Sequence, residues 1–235
     1  MPGTRTSLGT TENPAVRIDA EAWNDIYVVG DVHGCRETFS DLLNLIAPTE
    51  DDLIILVGDL VRKGPDSKGV VDLVRSRENV VSVRGNNEQK LIDGRKRLPS
   101  LSSDDVSFLE SLPLAISWGD SLVVHGGVDP RKPIAEHARA ELLTLRSLAP
   151  EGGYERPYWF ETRRKSPRVF FGHTVLSEPF ETDWAVGLDT GCVYGGRLTA
   201  YRCSTGEFVG VDPVTTHVDR SSDAIVDPKL GEPVP

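Results

Sequence analysis

The sequence predicts an α/β fold in which parallel strands are covered by helices. Residues 53–57, LIILV, form an unbroken apolar run of strand length, which is typical of a strand buried on both faces. Residues 26–88 repeat one arrangement three times: a strand, a turn of glycine and polar residues, and the start of a helix. This is the pattern of βαβ units, whose right-handed crossovers would place all three turns at one edge of the sheet.

The first half of the chain supplies each part of this repeat. Residues 26–29 predict the first strand, and the apolar spacing of residues 39–46 predicts the helix that follows it. Asp66 or Ser67 can cap a second helix. Residues 80–83 predict the third strand of the repeat.

The second half changes to consecutive strands. Residues 114–118 and 122–124 predict a hairpin through Gly119 and Asp120. Short helices are predicted near residues 106–112 and 136–145, a loop-like insert at 149–167, and further strands at 169–171, 185–188, 197–203 and 207–211. We expect a single domain over residues 21–212, a mobile N-terminal arm over residues 1–20 and a C-terminal tail over residues 213–235.

The composition is that of a globular protein, with 38% hydrophobic and 26% charged residues. No segment approaches the ~20 apolar residues of a membrane helix, and the N-terminus has no apolar signal core, so we expect a cytoplasmic protein without membrane contact. The net charge of -10 argues against stable nucleic-acid binding. Three scattered cysteines are too few for a disulfide framework or a CxxC zinc site.

Six polar side chains stand where predicted strands end, beside glycines that permit tight turns. They are Asp31, His33, Asp59, Asn86, His125 and His173. Two carboxylates, three imidazoles and one amide suit Mn, Fe or Zn better than Ca or a thiolate-bound metal. We expect two divalent or trivalent ions, with Mn ahead of Fe or Zn, sharing Asp59 as a bridge. Two ions ~3.5 to 4 Å apart can stabilise both the attacking and the leaving oxygen of a phosphoryl displacement.

Five motifs, in this order, resemble those of the calcineurin-like metallophosphoesterases. They are GDVHG at 30–34, GDLVRKGPDS at 58–67, RGNNE at 84–88, HGG at 125–127 and GHT at 172–174. The stretch LDTGCVYGGRLTAYR at 188–202 is similar to the C-terminal signature of bacterial and archaeal phosphoprotein phosphatases and of symmetrical diadenosine tetraphosphatases. The resemblance implies a four-layer β-sandwich of two mixed sheets flanked by helices.

The resemblance also implies roles for the matching residues. One metal would be held by Asp31, His33 and the bridging Asp59, and the second by Asp59, Asn86, His125 and His173. Arg84 would grip the substrate phosphate, because the planar fork of arginine matches phosphate oxygens.

Two departures from the family pattern concern the substrate. Arg62 and Lys63 occupy the Asp-Arg pair of the usual GDxVDRG motif, and we expect them to contact the phosphate, Lys63 as a point charge without a fork. Asn87 occupies the position of the family's general-acid His, which acts with a neighbouring Asp. An amide cannot donate a proton in this way, and general acid catalysis is typically worth ~100 to 10,000-fold. Alkyl esters such as phosphoserine should therefore suffer more than aryl phosphates or phosphoanhydrides.

Two regions leave alternatives open. Residues 129–168 concentrate arginine and aromatic residues such as Trp159, which form either a platform for a ring and a polyphosphate or a solvated loop whose aromatics enter the core. His137 either supplies the missing acid or lies on a helix surface. Glu88 could orient Asn87 or a water.

Together these residues predict a metal-dependent phosphatase of the serine/threonine protein phosphatase type. It would hydrolyse phosphomonoesters by attack of a hydroxide that bridges two metals, with Asp59, Asn87 and Arg84 at the reacting group. The alternatives are a symmetrical dinucleoside polyphosphate hydrolase and, from another class, a weakly active metal- or phosphate-binding module. The expected partner is a phosphorylated substrate: a phosphoprotein, an aryl phosphate or a nucleotide polyphosphate.

Overall fold

The computed structural model describes residues 15–231, which form two sheets and six α-helices. The strands are β1 (Ala15–Arg17), β2 (Asp25–Val29), β3 (Asp52–Leu56), β4 (Val80–Ser82), β5 (Ala115–Trp118), β6 (Ser121–Val124), β7 (Arg168–Phe171), β8 (Phe180–Glu181), β9 (Ala185–Gly187), β10 (Leu198–Arg202) and β11 (Glu207–Val211). The helices are α1 (Arg36–Ile46), α2 (Ser67–Arg75), α3 (Asn86–Ile92), α4 (Ser103–Ser111), α5 (Arg139–Thr144) and α6 (Trp159–Thr162).

The first sheet has five strands in the order β11-β10-β2-β3-β4. As the βαβ pattern predicts, β2, β3 and β4 run parallel, whereas β10 and β11 are antiparallel to their neighbours. The side chains of β3 alternate between two cores, because Ile54 and Leu56 pack toward the helices while Leu53 and Ile55 pack toward the other sheet. Both faces of this apolar strand are therefore buried.

The second sheet has six strands in the order β1-β5-β6-β7-β9-β8. Strands β5 and β6 form the predicted hairpin, with Trp118 opposite Ser121 and Gly119 in the left-handed region at φ 46°. Strands β6, β7 and β9 run parallel. Both sheets are thus mixed, in agreement with the predicted architecture.

Three cores hold the layers together. Helices α1 to α4 cover the outer face of the first sheet, and α5 and α6 cover the outer face of the second. Between the sheets lies a third core, to which Ile55 and Phe170 belong. The order of helices, sheet, sheet and helices confirms the predicted α/β sandwich. Within residues 15–231, every helix is too short or too polar to traverse a bilayer.

Two parts of the expected arm and tail pack against the rest of the fold. Ala15–Arg17 forms β1 at the edge of the second sheet, where Ala15 lies opposite Ala115. Val226 is buried, and its N–H donates to the Val175 carbonyl at 2.8 Å. Because each of these packed pieces is at most a few residues long, it leaves no periodic pattern in the sequence. Residues 1–14 and 232–235 lie outside the described residues, and the division into arm, domain and tail otherwise stays a prediction.

The insert at residues 149–167 is buried at its centre, residues 158–163, and mostly exposed on either side. Tyr158, Trp159 and Phe160 are buried, and the Trp159 ring centroid lies 4.8 Å from that of Phe171. A stacking platform built on Trp159 is therefore wrong, and the alternative in which these aromatics enter the core is correct. Tyr154 stays at the surface with 37% of its area exposed.

Replacing Trp159 by Ala should lower the free energy of unfolding by about 3–5 kcal/mol, because the side chain is fully buried and the cavity cannot collapse onto a rigid sheet. Urea unfolding of the two proteins would measure this difference. The matched control is Leu45→Ala, since Leu45 is 58% exposed on α1 and should cost less than about 1 kcal/mol. A loss below about 1 kcal/mol for Trp159→Ala would contradict its place in the core.

Candidate metal centre

The six predicted ligands converge where the two sheets meet. Asp31, Asp59 and Asn86 follow the C-terminal ends of β2, β3 and β4, because parallel neighbours end at the same edge. His125 and His173 follow β6 and β7 of the other sheet. The two carboxylates and the imidazoles are buried, with His125 fully enclosed, and Asn86 is half-buried.

Asp59 lies at the centre of this group. Its Oδ2 is 3.6 Å from His33 Nε2, and its Oδ1 is 3.4 Å from His125 Nε2. His33 Nε2 also lies 3.8 Å from Asp31 Oδ2. One donor atom each from Asp31, Asp59 and His125 lie within 4.8 Å of one another, and the ring centroids of His125 and His173 are 5.0 Å apart.

Two of the three imidazoles have a ring nitrogen without a hydrogen-bond partner, whereas Lys63 contacts Nε2 of His33. The Nε2 atoms of His125 and His173 are buried and have no hydrogen-bond partner. His125 Nδ1 lies 2.8 Å from the Val57 carbonyl oxygen and donates to it, which turns Nε2 toward the Asp59 carboxylate at 3.4 Å. A buried nitrogen without a partner is costly unless something else binds it. These nitrogen and carboxylate donors fit Mn, Fe or Zn.

Charge balance in the site also favours a cation. Burial, and then the nearby charge of Asp189, raises the pKa of Asp31 well above its ordinary range. Burial and the charge of Asp59 raise the pKa of Glu88 to about 7. For Asp59 the positive charge of His125 outweighs burial and holds the pKa well below its usual range, while the carboxylates outweigh burial at His125 and raise its pKa to about 9. Burial and mutual repulsion thus disfavour the charged forms of Asp31 and Glu88, and a bound cation would stabilise those charges.

Two glycines let the turns close on these carboxylates. A Cβ atom at Gly172 would lie 2.0 Å from Asp31 Oδ1, and one at Gly85 would lie 2.3 Å from Asp59 Oδ1. Because neither position has room for a side chain, the strand-end turns can approach the carboxylates only with glycine there.

The backbone of the site is held in an unusual conformation. Among the described residues, six that are not glycine have positive φ, and five of them belong to this site. They are His33 at 50°, Asp59 at 52°, Arg62 at 73°, Lys63 at 73° and His173 at 64°. Left-handed backbone costs roughly 1–2 kcal/mol for such residues, so the surrounding fold must impose it.

Asn87 and Arg62 form a pair beside Asp59. Arg62 Nη1 donates to the Asn87 amide oxygen, and the Asn87 amide nitrogen donates to Asp59 Oδ2. The Asn87 backbone N–H donates to Asp59 Oδ1 at 2.8 Å. Lys63 Nζ lies 2.8 Å from His33 Nε2 and donates to it. The two positions that depart from the family's Asp and His are thus in direct contact.

Arg84 is directed toward the protein. One terminal nitrogen donates to Gln89 Oε1 at 3.0 Å, and the other donates to the carbonyl oxygens of Glu110 and Leu112, the latter at 3.1 Å. These bonds tie the start of α3 to the end of α4. The predicted role of Arg84 in gripping phosphate stays a prediction and would require these bonds to break.

His137 does not lie on a helix surface, which was one of the two alternatives. It is buried, and its Nε2 accepts the Asp129 backbone N–H at 2.7 Å. Its Nδ1 faces the carbonyl oxygens of Pro133 and Ile134, at 3.1 and 3.0 Å. Both nitrogens thus hold the loop after β6 in place.

Sequence reasoning assigned no role to the buried Asp189 or the half-buried Arg146, and it named Glu88 without the backbone contacts that Glu88 makes. Asp189 follows β9, the parallel neighbour of β7 in the second sheet, and the strand-end rule that found the other carboxylates could have found it. Glu88 accepts the backbone N–H groups of Asp59 and Gly85 at 2.9 and 2.7 Å. Arg146 Nη2 lies 3.4 Å from His173 Nδ1, and no local pattern signals that contact.

Comparisons with known proteins agree with this geometry. A family profile described as calcineurin-like phosphoesterase matches residues 25–200. Serine/threonine-protein phosphatase 1 of Salmonella typhimurium is 28% identical over 228 residues, covering 79% of this chain and 95% of that protein. The asymmetrical bis(5'-nucleosyl)-tetraphosphatase PrpE of Halalkalibacterium halodurans is 29% identical over 226 residues, covering 78% of this chain and 92% of the relative.

A solved structure has the same fold over nearly its full length. It is the crystal structure of a protein named as a candidate diadenosine tetraphosphatase, and it superposes with a TM-score of 0.76 at 32% identity, covering 86% of this chain and 98% of the other. Strand-end carboxylates, free imidazole nitrogens and this similarity over most of the chain lead to one assignment: the chain belongs to the calcineurin-like phosphoesterase family.

Proposed function

We propose that this metallophosphoesterase is a phosphatase that hydrolyses phosphomonoesters with good leaving groups, using two metal ions. The observation that carries the proposal is the cluster of donor atoms from Asp31, Asp59 and His125 within 4.8 Å of one another, beside the buried and partnerless Nε2 atoms of His125 and His173. Asp31, His33 and Asp59 would hold one ion, and Asp59, Asn86, His125 and His173 the other. When bound, such ions act as Lewis acids and lower the pKa of water to near neutrality.

The residues around the leaving group set the substrate preference. The Asn87 amide donates to Asp59 and accepts from Arg62. As a carboxamide it has no acidic proton for a leaving oxygen. The Arg62 guanidinium stays cationic and can stabilise developing negative charge on that oxygen. Electrostatic help of this kind suits phenolates and phosphates, which leave as anions, better than the strongly basic alkoxide of serine.

A second candidate function is hydrolysis of dinucleoside polyphosphates. A cleft of about 660 Å³ opens beside Asn86 and is lined by Lys90, Arg95 and Arg139. The ammonium of Lys90 has no carboxylate at ion-pair distance within residues 15–231, and such a cleft could take the rest of a polyphosphate chain. The relatives named as asymmetrical tetraphosphatases support this candidate.

One substrate series tests both candidates. The protein with added Mn²⁺ would be assayed on p-nitrophenyl phosphate, a phosphotyrosine peptide, a phosphoserine peptide and diadenosine tetraphosphate. We expect the two aryl esters to be cleaved at least about 100-fold faster than the phosphoserine peptide, since the general acid is missing. Comparable rates on phosphoserine would contradict the leaving-group argument.

The products from diadenosine tetraphosphate decide the second candidate. Two molecules of adenosine diphosphate would indicate a symmetrical cut, and adenosine mono- and triphosphate an asymmetrical one. If metal binds but none of the substrates is hydrolysed, the chain is instead the weakly active metal- or phosphate-binding module.

A further inference from the structure

The C-terminal segment, residues 213–231, crosses the rim of the metal centre. Its first anchor is the pair His217 and Val218, whose backbone N–H groups both donate to the Val193 carbonyl at 3.1 Å. Its second anchor is Val226, whose N–H donates to the carbonyl of Val175, two residues after the ligand His173. The segment is thus fastened on both sides of the site.

Arg220 lies between these two anchors and turns inward. Its Nη2 donates to the Tyr154 hydroxyl at 2.6 Å, and its guanidinium stands 4.5 Å from the centroid of the Tyr194 ring. Its Nε donates to the Ala224 carbonyl at 3.0 Å, which fixes the side chain from within the segment. Arg220 is half-buried and shares each tyrosine with another cation.

The two other cations contact metal-ligand residues. Lys63 Nζ lies 5.0 Å from the centroid of the same Tyr194 ring and donates to His33. Arg146 lies 5.1 Å from the Tyr154 ring centroid, and its Nη2 donates to the His173 carbonyl at 3.1 Å. The two rings therefore connect Arg220 to Lys63 and Arg146 at the edge of the site.

None of these three cations has an acidic partner. Within residues 15–231, no carboxylate lies within ion-pair distance of Lys63, Arg146 or Arg220. Other basic residues nearby are paired, for example Arg131 with Asp129 and Arg156 with Glu161. Their nearest opposing charges are the buried carboxylates of Asp31 and Asp189, which act from beyond ion-pair distance. An external anion can therefore approach the three cations without breaking a direct ion pair.

We propose that Arg220, with Arg146 and Lys63, binds the phosphoryl group of the substrate, and that the C-terminal segment is the strap that holds Arg220 there. This inference rests on the proposed function, since the anion is the phosphate that the metal centre cleaves. The two guanidinium groups can each donate in parallel to two phosphate oxygens, which Lys63 alone cannot do. The motif around Lys63 has a lysine where the family has an arginine. Arg220, from a distant part of the chain, would thus supply the guanidinium group that the motif lacks.

The test measures phosphate affinity separately from turnover. Inorganic phosphate would be used as a competitive inhibitor of p-nitrophenyl phosphate hydrolysis by the full-length, Mn²⁺-loaded protein. For Arg220→Gln we expect the phosphate inhibition constant and the KM to rise about tenfold or more, with kcat changed less than about threefold. Arg220→Lys should recover part of this loss, because it keeps the charge without the fork.

Lys229→Gln is the matched control, because Lys229 belongs to the same segment and its side chain forms an exposed pair with Asp227, away from the three cations. It should leave the inhibition constant and the KM unchanged. A folded Arg220→Gln protein whose inhibition constant stays within twofold of the wild-type value would overturn the inference. So would a loss confined to kcat.

The proposed function can fail separately. If the wild-type protein does not hydrolyse any ester, calorimetric titration of inorganic phosphate into the Mn²⁺-loaded protein still decides the inference. A Kd that is about tenfold weaker for Arg220→Gln supports phosphate binding by the strap, and equal Kd values exclude it.

Discussion

The double variant Arg62→Asp, Asn87→His should hydrolyse a phosphoserine peptide about 100-fold faster than the wild-type protein. An imidazole at position 87 can protonate the leaving alkoxide, and general acid catalysis is worth ~100 to 10,000-fold. A carboxylate at position 62 would orient that imidazole and raise its pKa. The contact between Arg62 and Asn87 makes such pairing feasible.

The single variants should gain much less. With Arg62 retained, the guanidinium would lie against the new imidazole of Asn87→His and lower its pKa, so the acid form would be scarce near neutral pH. Arg62→Asp alone places a carboxylate beside Asp59 without adding an acid. The structure thus replaces a single-residue explanation of the missing acid by a two-residue one.

The measurement is kcat/KM for the phosphoserine peptide and for p-nitrophenyl phosphate in all four proteins. The aryl ester should change less than about fivefold, because its leaving group needs little protonation. Equal gains on both substrates in the double variant would sink the leaving-group argument. A strictly additive pair of single effects would show that the two positions do not act together.

Replacing Asp59 by Asn should remove both metal binding and activity. Asp59 lies within 3.6 Å of two imidazole nitrogens, and even outer partners of a metal ligand cost 10–100-fold when lost, so we expect kcat/KM to fall more than about 100-fold. The wild-type protein should gain about 2.7 kcal/mol of stability with Mn²⁺ at 100 times its Kd. The Asp59→Asn protein should gain almost none, and Asp72→Asn, an exposed residue of α2, should behave as wild type.

Without metal, Asp59→Asn and Asp31→Asn should differ in stability. The Asp59 carboxylate compensates the positive charge of the His125 imidazole, whose pKa is about 9. Replacing Asp59 leaves that buried cation unpaired and should lower the free energy of unfolding by about 3 kcal/mol. The pKa of Asp31 is raised, so the folded state binds its proton more tightly than the unfolded state does. The stabilisation that comes from this tighter proton binding is complete below pH 3.8, the ordinary pKa of an aspartate, and is lost as pH rises through the raised pKa of Asp31.

Asp31→Asn should therefore cost less than about 1 kcal/mol in the metal-free protein at neutral pH and should flatten this pH dependence. Urea unfolding with a chelator, at several pH values, would measure both effects. Equal costs for the two variants would contradict the charge distribution described for the site.

Most of the fold, and the strand-end positions of the six candidate ligands, were predictable because their signals are local. A buried parallel strand such as β3 is an apolar run, and the turn after it carries the functional residue, so the strand ends predicted Asp59 and its partners together. The topology then follows from right-handed βαβ connections. The roles of these residues, unlike their positions, stay predictions until metal is measured.

The remaining features depend on contacts that are distant in the chain. Arg84 has the motif position of a phosphate ligand, but the carbonyls at the end of α4 accept its hydrogen bonds. Arg220 lies in a segment without periodicity and acquires its neighbours only through Tyr154 and Tyr194. Trp159 stands among charged residues, and only the folded chain reveals that its ring lies in the core.

The left-handed backbone of the site limits how this protein can adapt to heat. Glycine would relieve the conformational cost at Arg62 or Lys63, where φ is 73° in both cases. Selection for thermal tolerance alone would therefore favour glycine at these positions and erase the cations beside Asn87 and His33. Heat-tolerant relatives that keep their activity would have to gain stability elsewhere, in the cores and helix caps far from the strand ends.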